Sequence, residues 1–355
     1  MRPFRYNPLP ANVIFGFGTI TALRTEVKKL GASRALVVTT PGQARLGELA
    51  KTQLGSAFGG LFAGAQMHTP VEVSERALAY AREIRADCVV GLGGGSTVGL
   101  CKALALRTDL PQIVVPTTYA GSEATPILGE TAGGQKTTQR SMKVLPETII
   151  YDVDLTMGLP KRVTAVSGMN AIAHAVEALY AKELDPLIAL LAEDGIRALA
   201  RSLPALAGGL DDREARSDAL YGAWACGTCL GAVGMALHHK LCHVLGGAFN
   251  LPHAETHAIV LPHAVAYNTP YAKDAMTRIA AAIGTDKAAA GLYALNRKLD
   301  IPLALKDIGM PADGVGKAIE LALASPYWNP GPVEEAPLRR LLKNAYEGKA
   351  PEVST

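Results

Sequence analysis

The chain changes character near Leu159-Pro160, and that change limits its fold more than any other feature. Before it, short β-branched runs alternate with helix-length segments: RALVVTT (34–40), SERALAYAREIRA (74–86), DCVVGLGGG, a helix from Ser96 to about Leu106, and QIVVPTT. Strand, helix, strand in that rhythm predicts a parallel sheet faced by helices. Ser74 and Ser96 are read as helix N-caps, because a serine oxygen can accept the free N–H groups of a first turn. Strand-like pieces at 144–152 and around Lys136 complete this half. After Pro160, apolar-periodic segments of helix length follow at 163–181, 185–208, 212–235, 236–247, 255–267, 270–284, 287–299, 301–308 and 312–324. A short helix is expected near 336–346, and nothing convincing as a strand intervenes. The reading is an α/β nucleotide-binding domain over 1–158 and an all-helical catalytic domain over 159–355. At 355 residues each half can bury its own core.

Composition removes several function classes. A net charge of +3, with Lys and Arg dispersed, argues against a nucleic-acid partner. No segment approaches the ~20 uninterrupted apolar residues of a membrane span, and the opening MRPFRYNPLPANVIFG lacks a signal-peptide core. Five cysteines, mostly inside apolar segments, fit reduced core thiols in a cytoplasmic protein. Cys226-x-x-Cys229 has no second pair and lies in a helix-like apolar run, which favours packing over metal or redox chemistry.

Chemistry concentrates in two places. Six of the eight histidines fall between His238 and His263. His239 and His243, four apart, share one helical face, as do Asn170 and His174 upstream. His253 follows a glycine-rich break. Imidazole is the side chain that changes charge near neutral pH and a common metal ligand, so this crowding marks a pocket. His238 is read as structural, and His257 and His263 as capping or packing. The second place is the glycine run Gly91, Gly93, Gly94, Gly95 leading into Ser96. Bare backbone N–H groups at a helix start can hold a pyrophosphate. It is not the GxGxxG fingerprint of a first strand–helix turn. PTTYAGSEATP (116–126) adds Thr117, Thr118, Ser122 and Thr125, hydroxyls able to reach phosphate, ribose or amide, at the end of the next strand.

GGGS with Lys102 six residues on, PTTxxGSE, the Asn170/His174 helix, and His239-x3-His243-x9-His253 followed by LPH resemble the iron-containing alcohol dehydrogenase family over nearly the whole chain. That resemblance implies a Rossmann-like parallel-sheet domain plus an all-α domain (the dehydroquinate synthase-like fold), a cleft between them, NADH or NADPH as cofactor, and a homodimer. Gly93, Gly94, Gly95, Ser96, Thr117, Thr118, Ser122 and Thr125 are the expected cofactor contacts. In metal-dependent relatives an Asp and three His hold Fe²⁺ or Zn²⁺, and those positions map here to Asn170, His174, His239 and His253. With the anionic ligand replaced by an amide, no metal is expected. Gly99 stands where many relatives carry Asp. Thr40, not an acid, stands where NADH selection often occurs, which leaves the choice of cofactor open.

Within the family, GGGSTVGLCKALAL, PTTYAGSEATPI, GGQKTT, IIYDVDLTMGLP and YWNPGPV resemble the branch that reduces the C=C bond of maleylacetate, giving 3-oxoadipate, in aromatic-compound catabolism. Gly331 stands where that branch commonly has Arg. On this expectation His243 and His253 supply a proton and steady an enolate, while His239 and His174 shape the pocket. Tyr119, Lys136 and Asn170 are the first candidates for holding a small dicarboxylate. A metal-dependent alcohol or polyol dehydrogenase, and a nucleotide-binding protein without catalysis, are the alternatives.

Overall fold

A computed structural model describes residues 9, 11–133, 135–324 and 326–353, apart from the side chains of residues 135 and 136. The chain divides into two compact units, Leu9–Leu159 and Pro160–Thr355.

The first unit runs β1 (Asn12–Gly16), α1 (Leu23–Lys29), β2 (Ala35–Val38), α2 (Ala44–Leu54), β3 (Phe58–Phe62), α3 (Val71–Glu83), β4 (Cys88–Gly93), α4 (Gly95–Thr108), β5 (Gln112–Pro116), β6 (Ile127–Ala132), β7 (Gln135–Arg140) and β8 (Thr148–Asp152). Among the described residues six strands form one parallel sheet in the order β1-β8-β5-β4-β2-β3, while β6 and β7 pair as an antiparallel hairpin. Strands β2, β4, β5 and β8 are buried throughout, as near-continuous apolar runs must be when helices cover both faces. Side chains alternate across the sheet: Val37 and Val90 join Leu23, Val27 and Leu54 on one face, whereas Leu36 and Val89 meet Ala77, Leu100 and Leu104 on the other. The chain passes from β2 out to β3 and returns to β4 on the far side of β2. The carboxyl ends of β2 and β4 therefore flank the point where the winding reverses, the usual place for a ligand crevice in such sheets.

Two helix starts differ from expectation. Helix α3 begins at Val71 with extended Pro70 as its N-cap, whose carbonyl already accepts the Ser74 N–H at 3.1 Å. Ser74 is therefore internal, and its hydroxyl turns to Glu130 at 2.9 Å. Helix α4 starts at Gly95 with Gly94 at its N-cap and no side-chain cap bond, so Ser96 lies inside the first turn.

The second unit contains α5 (Lys161–Leu179), α6 (Pro186–Gly208), α7 (Arg213–Ala232), α8 (Leu237–Phe249), α9 (His253–Asn268), α10 (Lys273–Ile283), α11 (Ala288–Lys298), α12 (Gly314–Leu323) and α13 (Glu335–Glu347). The segment expected as a helix at 301–308 has no regular structure over 301–304 and a single 3-10 turn at Leu305–Ile308; Pro302 there supplies no N–H. Helix α5 is buried from Thr164 to Leu179 and packs on α6, α7 and α9. Cys226 and Cys229 are buried free thiols of α7, and burial pushes both upward, so they stay protonated and inert. No single helix among the described residues is long and apolar enough to cross a membrane.

Candidate active site

In the first unit, the glycines after β4 have different jobs. A Cβ on Gly91 would lie 2.5 Å from the Cys101 sulfur, so this glycine lets β4 approach α4. One on Gly93 would meet the Thr97 hydroxyl at 2.4 Å and Gln43 at 2.8 Å, and one on Gly94 would meet Thr118 at 2.8 Å. Gly95 differs: its Cβ would meet nothing within 4 Å. Backbone at the amino end of α4 is thus bared toward open space, where a phosphate can approach N–H groups and the favourable end of the helix dipole. Gln43, which the sequence reading passed over, donates to the Thr117 hydroxyl at 3.3 Å and ties the segments after β2 and β5 together. The Thr39, Thr97 and Ser122 hydroxyl oxygens are buried without a hydrogen-bond partner among the described residues. Buried polar atoms left so are costly and rare. A cradle with bare N–H groups and unsatisfied hydroxyls at the winding reversal fits a dinucleotide. Thr125, by contrast, spends its hydroxyl locally, on the Ser122 carbonyl (2.9 Å) and on Lys102 (3.0 Å). At Gly99 a Cβ would stand 2.3 Å from the Thr69 hydroxyl, so Thr69 fills the space an acid would need. Tyr119 has no exposed surface. The Lys136 side chain lies outside the described residues.

In the second unit, helices α5, α8 and α9 bring imidazoles together. His174 and His239 stack with ring centroids 5.3 Å apart, and His239 meets His243 at 6.2 Å. His257 touches His239 at 5.0 Å, His238 at 4.9 Å and His253 at 4.2 Å. His257 is therefore a full member of the cluster, not a packing residue at its edge. His174, His238, His239 and His257 are buried, while His243 and His253 are half-buried. His263, two turns along α9 from the cluster's edge, is buried as well.

One carboxylate organises this cluster, and it was not foreseen. Glu177 accepts hydrogen bonds from the Ala236 and His238 backbone N–H groups at 2.9 and 2.8 Å and from His239 Nδ1 at 2.7 Å. It thereby caps α8 and anchors the imidazole in one stroke. Its side chain is one turn beyond His174 on the Asn170, His174, Glu177 stripe of α5, and that spacing of polar residues in an apolar helix was the available signal. Burial alone would push Glu177 up, but His239, His238 and the backbone donors hold it at about 2. An ionised carboxylate can only accept, so His239 Nδ1 must carry a proton and Nε2 is the nitrogen free to act. Nε2 is buried with no partner among the described residues, as are His174 Nδ1 and both nitrogens of His257. Burial and neighbouring imidazoles lower His174 and His257 well below the ordinary value and bring His238 to about 4, so these rings are neutral near pH 7.

A divalent ion among these donors would meet mainly neutral groups. The one gathered trio among the described residues, His238, His239 and His257, has ring nitrogens within 4.8 Å. His238 Nε2 is held by the His257 carbonyl at 3.0 Å, while His238 Nδ1 and His239 Nε2 have no partner among the described residues. Asn170 offers a neutral amide, and Glu177 is committed to the Ala236 and His238 N–H groups, to His239 and, at 3.5 Å, to the Tyr180 hydroxyl. A desolvated dication there would face no anionic ligand.

Two family models match the chain. "Iron-containing alcohol dehydrogenase" covers residues 10–153, and "Fe-containing alcohol dehydrogenase family, C-terminal" covers 164–346. The chain belongs to the iron-containing alcohol dehydrogenase family. A maleylacetate reductase of Sphingobium indicum is 53% identical over 348 residues, covering 98% of this chain and 99% of the relative. Another, of Rhizobium sp. strain MTP-10005, is 51% identical over 352 residues, covering 99% of this chain and all of the relative. A crystal structure of maleylacetate reductase from Agrobacterium tumefaciens superposes with TM-score 0.95 at 51% identity, over 99% of this chain and all of that one.

Proposed function

We propose that this chain is a maleylacetate reductase that uses NADH or NADPH to convert maleylacetate to 3-oxoadipate in the breakdown of aromatic compounds. The observation that carries this reading is the likeness to curated maleylacetate reductases at 51–53% identity along essentially the whole chain.

Gly93–Ser96, Thr117, Thr118 and Ser122 would hold the dinucleotide, with Thr125 bracing the loop from within. When bound, NAD(P)H supplies hydride to the alkene carbon β to the substrate's ketone. Negative charge then spreads over the ketone oxygen and the α carbon, and a proton must reach that carbon. Ketone reduction would leave full charge on one oxygen, where a metal helps most; an enolate's delocalised charge can be met by hydrogen-bond donors. His239, its Nδ1–H fixed on Glu177, would shape the pocket around that oxygen. His243 and His253 are assigned to proton delivery, since their half-buried rings can exchange protons with water. His174 and His257 keep neutral walls around them. Asn170 would offer its amide to a substrate carboxylate. By this reading the enzyme works without a metal, in the cytoplasm and as a homodimer.

The test is spectrophotometric. Purified protein should oxidise NADH or NADPH when maleylacetate is added, with 3-oxoadipate formed in equal amount. Activity only on simple alcohols or polyols would favour the metal-dependent dehydrogenase reading and refute this one.

A further inference from the structure

Lys102 lies in α4 with 1% of its surface exposed, and its ammonium is surrounded by one short segment. Nζ is 2.6 Å from the Ser122 carbonyl, 2.6 Å from the Thr125 carbonyl, 3.0 Å from the Thr125 hydroxyl and 3.0 Å from the Ile127 carbonyl. An ammonium has three protons. Four oxygens closing on it within 3.0 Å resemble the cage around an alkali cation more than a single hydrogen bond. Without a cation at the centre, three inward-pointing carbonyl dipoles would repel one another, and although the Ser122 carbonyl keeps the Thr125 hydroxyl at 2.9 Å, the cluster would lose its shared donor, a costly state inside a protein. The residue between these anchors is also fixed: buried Glu123 accepts from the Tyr151 hydroxyl of β8 at 2.9 Å. Burial draws the Lys102 ammonium down to about 7 while Glu123 opposes that shift, and the carbonyls, which only accept, hold the charged form.

The segment thus caged, 122–127, continues directly from Thr117, Thr118 and the Ser122 hydroxyl. We propose that Lys102 is a positioning residue for the dinucleotide cradle, an internal cation on which 122–127 folds so that the preceding loop keeps its binding shape. Lys102 does not itself touch the cofactor. This rests on the reading of the Gly93–Ser122 surface as the dinucleotide site.

The experiment measures NADH affinity by fluorescence titration, KM for maleylacetate and the melting temperature, in the full-length protein and three variants. Lys102→Met keeps the stem and removes the charge; by loosening a pre-organised binding loop it should weaken NADH binding by roughly tenfold or more, with KM for maleylacetate changed less than about twofold. Lys102→Ala leaves room for a small cation. Added methylammonium should restore at least about half of its lost NADH affinity, and tetramethylammonium at equal ionic strength should not. Unchanged NADH affinity in Lys102→Met overturns the proposal, and so does a loss in Lys102→Ala that methylammonium does not repair. Gly95→Leu fills the open cradle without touching Lys102. If it binds NADH normally, the reading of the cradle fails, whatever Lys102 does; if it alone loses NADH, the cradle stands and the role of Lys102 falls.

Discussion

Replacing Glu177 with Gln removes the one charge that organises the imidazoles while keeping the side chain's shape. Glu177 sits at about 2 against an ordinary 4.5, a difference worth about 3 kcal/mol at 1.36 kcal/mol per unit. The sign follows from the direction. A carboxylate lowered in the folded state contributes stability that is complete well above 4.5 and is lost as pH falls toward 2. Glu177→Gln should therefore lower unfolding free energy by about 3 kcal/mol at pH 7 and by roughly 1 kcal/mol less near pH 4, where the unfolded chain already takes up the proton. The amide's NH₂ would also confront at least one of the donors from Ala236, His238, His239 and Tyr180, and a neutral amide no longer fixes the His239 tautomer as an acceptor-only carboxylate does. Turnover should fall about 10- to 100-fold with NADH affinity nearly unchanged. Urea unfolding at the two pH values, beside steady-state kinetics, measures both quantities. A stability loss independent of pH, or full turnover in the variant, would refute the reasoning.

Other outcomes can be checked alongside. His243→Ala should lower kcat by about 10²- to 10⁴-fold, the range for losing a general acid, and leave the NADH dissociation constant within about twofold; an equal loss of NADH affinity would show a structural role. Asn170→Asp should raise affinity for Fe²⁺ or Zn²⁺, read by calorimetry, because it places an anion one turn from His174. His238 and His263, both brought to about 4 by burial, are lowered relative to about 6.5 in the unfolded chain. Their contribution is complete above 6.5 and disappears as pH falls toward 4, up to about 3 kcal/mol each. Unfolding midpoints should decline across that window, and His263→Gln should flatten the decline.

Much of the fold was legible because burial writes itself into local pattern. The apolar runs VVGLG and IVVP mark strands covered on both faces, and Pro160, Pro186 and the Asp212 cap punctuate the helices. Strands β1 and β3 escaped notice: NVIFG is half-exposed, and FGGLF carries two glycines that only the Arg34 and Tyr80 contacts explain. Ser74 and Ser96 misled for one reason. A serine before an apolar run looks like a cap, but Pro70 and Gly94 had already started those helices. The crowding of histidines announced the second site, yet its order depends on contacts distant in sequence. Glu177 reaches His239 across 62 positions, and His257 enters the cluster through rings on α8. Such partners follow from packing of helices, which no local spacing specifies.

Turnover after metal removal tests the central claim most directly. Protein dialysed against dipicolinate, with iron and zinc quantified by mass spectrometry, should reduce maleylacetate at the untreated rate with far less than one metal ion per chain. Activity that disappears on chelation and returns with Fe²⁺ or Zn²⁺ would contradict it.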